Sequence, residues 1–155
     1  MRFRKRSMLV LPLLGLAFFI TSCTTMNTTI IRPFLAEGAA PAIGPYSHGV
    51  ECSGRMLFLS GQIPLRADGS MVSGSITEET RQVFANIRTI LSSQGADLTS
   101  IVKATVFLTD MGDFAEMNSV YAEMMGSHRP ARSAVQVARL PKDARVEIEV
   151  IACVP

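Results

Sequence analysis

The chain has 155 residues, 48% hydrophobic and 18% charged, so it is long enough for one globular domain, too short for two ordinary ones, and too apolar for a disordered protein. Four of its fifteen basic residues lie before position 7, and the remainder carries eleven basic and thirteen acidic residues, a balance of −2. A mildly acidic body gives no electrostatic field that would hold nucleic acid, which argues against a nuclease.

The first 23 residues have the layout of an export signal. A basic cluster at residues 2–6 precedes an apolar stretch at residues 8–20, which is too short to span a bilayer. The following Thr-Ser-Cys is similar to the end of a bacterial lipobox, in which the peptide is cut before the cysteine and the cysteine receives lipid. We therefore predict a signal peptide at residues 1–22, a lipidated Cys23, and an exported protein anchored to a bacterial membrane, facing the periplasm or the cell surface. The alternative is translation from Met26, which would give a cytoplasmic protein.

Residues 23–38 mix Thr, Asn, Pro and Gly without periodicity, which predicts a tether to a domain at residues 39–155. Near the start of the domain, Ser53-Gly54 predicts a two-residue hairpin turn that joins strands at residues 50–52 and 55–60. The apolar run at residues 56–59 predicts that the second strand is buried on both faces.

Two amphipathic helices are predicted after these strands. Ser75-Ile76-Thr77-Glu78 is a capping-box pattern, and apolar residues then recur at helical spacing until Gly95. A second helix begins at residues 113–116 and ends at Gly126. Residues rich in Val, Thr, Ile and Phe predict three more strands, at residues 101–109, 131–137 and 146–152. The predicted order is β-β-α-β-α-β-β.

Two helices cover only one face of such a sheet, so the other face needs a partner. In the last strand Val146, Ile148 and Val150 alternate with Glu147 and Glu149, so the carboxylates point away from the apolar side chains. The second face is then either a subunit interface lined by pockets or a solvated surface, and periodicity alone does not choose between them.

The sequence contains no Gly-rich phosphate loop, GxSxG, CxxC or HExxH motif, and we predict no metal site. Arg129 and Arg132 lie at the start of a predicted strand, where a guanidinium fork can bind a carboxylate or form a surface ion pair. His48 either lines a cleft with Tyr46 or, as we favour, is a polar loop residue. Cys52 and Cys153 either pair or, as we favour, form two separate buried thiols.

Eight blocks follow one another through the domain. They are Ile43-Gly44-Pro45-Tyr46-Ser47, Ser60-Gly61-Gln62-Ile63-Pro64, Thr80-Arg81-Gln82, Val102-Lys103-Ala104-Thr105-Val106-Phe107-Leu108, Asn118-x-x-Tyr121, Arg129-Pro130-Ala131-Arg132-Ser133, Ala138-Arg139-Leu140-Pro141 and Val146-Glu147-Ile148-Glu149. In type, order and spacing, these blocks closely resemble the Rid family, also called YjgF, the reactive intermediate deaminases. The resemblance covers residues 39–152.

The resemblance implies an α+β, chorismate-mutase-like subunit with one mixed sheet and two helices on one face. It also implies a homotrimer around a barrel-like core, with three clefts between subunits. Deaminase members of the family hydrolyse enamines and imines of 2-amino acids to 2-keto acids and ammonia, and they need no cofactor. The expected partners are therefore small 2-imino acids and further copies of the same chain.

Carried over by motif, Arg132 resembles the carboxylate-binding arginine, and Glu147 resembles the acid beside the attacking water. The motifs also imply that four further residues line the cleft, namely Tyr46, Ser60, Gly61 and Asn118. Many deaminase members have Cys where this chain has Ala134. The alternative function is a membrane-tethered, non-catalytic member that binds a carboxylate ligand or acts as a chaperone. Export favours this alternative, because the enzymes that release such imines are mainly cytosolic.

Overall fold

The computed structural model describes residues 29–154, so the predicted signal peptide and Cys23 lie outside the described part of the chain. None of the helices within it is long and apolar enough to cross a membrane. Its six strands and two helices are β1 Ile30–Phe34, β2 Gly49–Ser53, β3 Arg55–Gln62, α1 Ile76–Ser93, β4 Ile101–Leu108, α2 Phe114–Met125, β5 Ala131–Gln136 and β6 Val146–Val154.

The main sheet has four strands in the order β3-β6-β4-β5. It is mixed, because β4 runs parallel to β5 while β6 is antiparallel to both of its neighbours. The core lies between this sheet and the two helices, and it includes Phe84 and Ile87 of α1, Tyr121 of α2, and Val106 and Ile148 of the sheet. The predicted α+β fold, with two helices and a mixed sheet, is confirmed.

Helix α1 begins where the sequence predicts it. Ser75 accepts a hydrogen bond from the backbone N–H of Glu78, and the Glu78 carboxylate accepts one from the backbone N–H of Ser75. The buried face of the helix then packs on α2 through an edge-to-face contact of Phe84 with Tyr121, whose ring centroids are 5.4 Å apart. Such a contact orients both rings as well as burying them.

The segment predicted as a tether, residues 23–38, contains a strand. Strand β1 lies within this segment and pairs antiparallel with β2 in a separate two-stranded sheet. The β-branched Ile30 and Ile31 favour an extended backbone, and Pro33 is tolerated because β1 has a neighbour on one side only. The ring of Phe34 packs over Gly49, its cross-strand partner.

Two expectations for the next strands are wrong. Strands β2 and β3 do not pair with each other: the turn at Ser53 and Gly54 joins the two-stranded sheet to the main sheet. Strand β3 is not buried on both faces, because Met56 is 40% exposed and Phe58 is 72% exposed. The helices cover one face of β3 only, so alternate residues of the apolar run point away from the core.

The sheet face opposite the helices, the open face, carries Phe58, Lys103, Thr105, Glu149 and Ile151 around a shallow cavity of about 220 Å³. The predicted alternation in β6 is confirmed, since the residues next to Glu149 in the strand are buried and its own side chain is exposed. Lys103 donates a hydrogen bond to Ser133 across this face at 2.8 Å. The open face therefore mixes charged, polar and apolar side chains.

The capping box gives a direct test of the start of α1. We expect Ser75→Ala to lower the free energy of unfolding by about 1 kcal/mol, because the N–H of Glu78 loses its acceptor. Ser92→Ala is the matched control, since this exposed serine lies inside the same helix, where alanine is the better helix former. Urea unfolding of both variants measures the difference, and equal effects would contradict the capping role.

Candidate functional site

Arg132 of β5 points to the helix side of the sheet, into a cluster of aromatic rings. Its Nη1 donates a hydrogen bond to Oδ1 of Asn118 on α2 at 2.8 Å. Its guanidinium carbon lies 4.6 Å from the ring centroid of Tyr121, 5.6 Å from that of Tyr46 and 5.9 Å from that of Phe114. These three rings and one amide fix the direction of the guanidinium, because cation–π contacts and hydrogen bonds both depend on orientation.

The charge of Arg132 has no carboxylate partner among residues 29–154. The ion pairs within that part of the chain join Arg81 to Glu123, Arg139 to Asp143, and Arg145 to Asp113. Burial lowers the pKa of the Arg132 guanidinium, although an arginine remains charged at any physiological pH. A half-buried and unpaired cation of this kind is a site for an anion, above all a planar carboxylate.

The cleft in front of Arg132 has a volume of about 380 Å³, enough for a small metabolite. Its walls are formed by Ile43, Tyr46, Met111, Phe114 and Ala134. Apolar walls around one cation suit a ligand with a carboxylate at one end and a short aliphatic group at the other. Ala134 lies in the same wall as the guanidinium, at the position where the family resemblance implies a cysteine in many deaminases.

Local hydrogen bonds hold the loop that carries Tyr46. The backbone N–H of Ile43 donates to the Tyr46 hydroxyl at 3.2 Å, and that of Ser47 donates to the carbonyl of Pro130, close to Arg132. A Cβ atom on Gly44 would lie 3.1 Å from Nη2 of Arg132, so a side chain there would press on the guanidinium. The Gly-Pro-Tyr sequence therefore shapes one wall of the cleft.

The other predicted site residues, Ser60, Gly61 and Glu147, lie together on β3 and β6. Strand β3 has an irregularity here, because Leu59 pairs with Val150 but Gln62 pairs with Ile148. A Cβ atom on Gly61 would lie 2.6 Å from Cδ and 2.9 Å from Cγ of Glu147. Glycine at position 61 thus lets the Glu147 side chain lie across β3.

The start of β6, just before Glu147, is tied to both helices. Arg145 forms an ion pair with Asp113, and its backbone N–H donates to the carboxylate of Glu79 at 3.2 Å. Burial raises the pKa of Glu79, and the hydrogen bond from Arg145 opposes that rise. These contacts fix the register at which Glu147 enters the sheet.

Within one chain the two groups of predicted residues lie apart. Tyr46, Asn118 and Arg132 meet on the helix side of β5, at one edge of the main sheet, whereas Glu147 lies over Gly61 of β3, at the opposite edge. Glu147 also alternates with core residues of β6, so it points to the side of the sheet away from the helices. Within one copy of the chain the two groups of predicted site residues therefore do not meet.

Sequence reasoning missed the rings of Phe114 and Tyr121 as neighbours of Arg132. Their spacing from Asn118, four residues before and three after, places all three on one face of α2, and this signal could have found them. The predicted role of His48 as a loop residue agrees with its contact, since its Nδ1 accepts a hydrogen bond from the backbone of Ala36. Arg129 binds carbonyls at the end of α2, which leaves Arg132 as the arginine of the cleft.

Comparison with known proteins agrees with these features. Residues 37–154 match the model of the family described as Endoribonuclease L-PSP. A RutC family protein of Pyrococcus horikoshii is 51% identical over 117 residues, which are 75% of this chain and 92% of that protein. The 2-iminobutanoate/2-iminopropanoate deaminase of Bos taurus is 46% identical over 127 residues, which are 81% of this chain and 92% of the enzyme.

Solved structures show the same fold. That of yeast Mmf1 is 44% identical, with a TM-score of 0.64, and the match covers 81% of this chain and 100% of that one. The structure of E. coli TdcF with bound serine is 41% identical, with a TM-score of 0.62, and the match covers 80% of this chain and 99% of that one. The chain belongs to the Rid (YjgF, L-PSP) family, which includes 2-imino acid deaminases.

The Tyr121 hydroxyl gives a prediction that separates its ring from its polar group. This hydroxyl is buried without a hydrogen-bond partner among the described residues. We expect Tyr121→Phe to raise the free energy of unfolding by about 1 kcal/mol, because it removes an unsatisfied polar group and keeps the ring. Tyr46→Phe is the matched control and should lower stability, since the N–H of Ile43 loses its acceptor.

The same substitution has a pH signature. Burial raises the pKa of Tyr121 from 10.0 to about 12, so the unfolded chain loses this proton at lower pH than the folded protein. The free energy of unfolding of the unsubstituted protein should therefore fall as pH rises above 10, and Tyr121→Phe should lack the part of this fall that comes from the phenol. Urea unfolding of the unsubstituted protein and of Tyr121→Phe at pH 8 and pH 10.5 measures the difference. An equal loss in both would contradict the burial of a protonated phenol.

Proposed function

We propose that this Rid family member hydrolyses 2-imino acids and their enamine tautomers to 2-keto acids and ammonia. The observation that carries the proposal is the unpaired guanidinium of Arg132, held by Asn118 and three aromatic rings at the wall of a cleft of suitable size. The relatives named as 2-iminobutanoate/2-iminopropanoate deaminases support the same reaction class. The balance of −2 outside the leader gives no support to binding RNA.

The proposed reaction needs positioning more than activation. An imine carbon is already electrophilic, so one water can add to it while Arg132 holds the substrate carboxylate. Glu147 accepts a proton from that water as it adds and returns it to the imine nitrogen, and the proton of the new hydroxyl moves to the same nitrogen as the C–N bond breaks and ammonia leaves. The water supplies the oxygen of the keto acid, and its two hydrogens leave with the imine nitrogen as ammonia.

The separation of the two groups of predicted site residues supports a multimeric enzyme. Arg132 lies on the edge strand β5, whereas Glu147 lies on the inner strand β6, on the other side of the sheet and against Gly61 of the opposite edge strand β3. A complete site therefore needs the β5 edge of one copy to meet the β3 edge of the next. Such a head-to-tail contact uses two different surfaces, and repeating it forms a ring when the rotation between copies closes. The exposed side chains of Phe58 and Val135 give each copy apolar surface that such a contact can bury on the open face. We propose a homotrimer, as the family resemblance implies, with one complete site at each interface.

Substitution of Arg132 tests the carboxylate contact. Loss of a charge-assisted pair in a half-buried cleft costs about 2 to 5 kcal/mol, so Arg132→Ala should lower kcat/KM for 2-imino acids by a factor of tens to thousands. Arg132→Lys should restore little, because an ammonium group lacks the planar fork. The measurement is a coupled assay in which an amino-acid oxidase generates the imine and keto acid release is followed.

A substrate without a carboxylate supplies the internal control. An imine of this kind should react slowly with the native protein, and its rate should not change in Arg132→Ala, because the lost contact was never made. If Arg132→Ala turned over 2-imino acids as fast as the unsubstituted protein, the reaction would take place at a site other than the Arg132 cleft. A native protein inactive on every 2-imino acid but able to bind 2-keto acids would favour the alternative of a non-catalytic carboxylate-binding protein.

We further propose that the mature protein begins at a lipidated Cys23. The supporting observation is the order of basic cluster, apolar run and cysteine in the sequence. We expect Cys23→Ser to move the protein from the membrane fraction to the soluble fraction, while Cys52→Ser, the control, leaves it in place. A mature N-terminus at Met26 in a cytosolic extract, identified by mass spectrometry, would contradict the proposal.

A further inference from the structure

Two cysteines lie near the junction of the two sheets. Cys52 lies in β2 and Cys153 near the end of β6, and both are free thiols. Met56 of β3 is the direct cross-strand partner of Cys153. The sulfur of Met56 lies 3.7 Å from the sulfur of Cys52. A Cβ atom on Gly54, two residues after Cys52, would lie 2.9 Å from the sulfur of Cys153. Both thiols therefore lie against the same turn, and they are unpaired, as the favoured expectation had it.

The two thiols differ in exposure. Cys153 is 1% exposed, whereas Cys52 is half-buried and open to a reagent in solution. Burial raises the pKa of Cys153, and the neighbouring Cys52 thiol raises it further.

We propose that Cys52 and Cys153 form a disulfide when the protein meets a disulfide oxidant, such as glutathione disulfide or an oxidised dithiol protein. The Cys52 thiolate attacks one sulfur of the oxidant, forms a mixed disulfide and expels one thiolate. The Cys153 thiol then loses its proton and attacks the Cys52 sulfur, which releases the second thiol. Two protein thiols are oxidised, and one oxidant disulfide is reduced to two thiols.

The bond would fasten the two-stranded sheet to the main sheet. Strands β1 and β2 pair with each other and with no strand of the main sheet, and the turn at Ser53 and Gly54 leads directly into β3. A link from Cys52 to Cys153 closes a loop of about 100 residues, which greatly restricts the unfolded chain. Such a bond is stable in compartments outside the reducing cytosol. The predicted export signal would send the protein to such a compartment.

The test uses the full chain carrying Cys23→Ser, so that Cys52 and Cys153 are its two thiols. The protein is equilibrated with glutathione disulfide, alkylated without reduction and cleaved after glutamate, which separates the cysteines into peptides 52–78 and 150–155. We expect these two peptides to be joined, with the loss of two hydrogens and no bound glutathione. Glutathione retained on Cys52 beside an alkylated Cys153, or two alkylated cysteines, would overturn the proposal.

Thermal unfolding gives an independent readout. We expect the melting temperature of the oxidised protein to exceed that of the reduced protein by on the order of 10 °C, because the closed loop is long. Cys52→Ser in the same background is the control and should melt at one temperature in both conditions. A joined peptide pair without any rise in melting temperature would overturn the claim that the bond fastens the two sheets.

Discussion

Side chains of a β-strand alternate between two faces, and this constraint decides which residues one copy of the chain can bring together. In β6 it turns Val146, Ile148 and Val150 into the core and Glu147 to the other side of the sheet. In β5 it turns Arg132 towards the helices, where Asn118 binds it. Because these strands are also separated by β4, the arginine and the glutamate cannot share a cleft within one subunit. The buried core and the separation of the two groups of predicted site residues thus follow from the same alternation.

Arg132 is held in place before any ligand arrives. Desolvation disfavours its charge, and the faces of three aromatic rings together with one amide oxygen offset part of that cost without neutralising it. A carboxylate that enters the cleft meets a guanidinium that is already oriented and partly desolvated, so ordering the site on binding costs little conformational entropy. The apolar walls formed by Ile43 and Phe114 favour a short aliphatic substituent on the same ligand.

Local signals predicted much of this fold, while contacts between distant segments escaped them. The capping box and helical spacing placed α1 to within a few residues, because both depend on neighbours along the chain. Strand β1 was missed because its pairing with β2 is not encoded in a local pattern, and Ser53-Gly54 suits a corner between sheets as well as a hairpin. The apolar run around Phe58 predicted a strand, but it did not show that one face of that strand is exposed in the single chain. The candidate site residues came from the family resemblance, and their roles stay predictions.

The central claim is that a complete site forms between two copies of the chain, and mixing two inactive variants tests it most directly. Arg132→Ala and Glu147→Ala each remove one half-site and should each be inactive as a pure protein. In co-expressed random assemblies, an interface works when one copy supplies the arginine and the next supplies the glutamate, so an equal mixture should recover about a quarter of the native activity on 2-imino acids. Recovery near that level is the predicted result, with a mixture of two Arg132→Ala preparations as the inactive control. No recovery from mixed assemblies of native size would contradict a site shared between subunits.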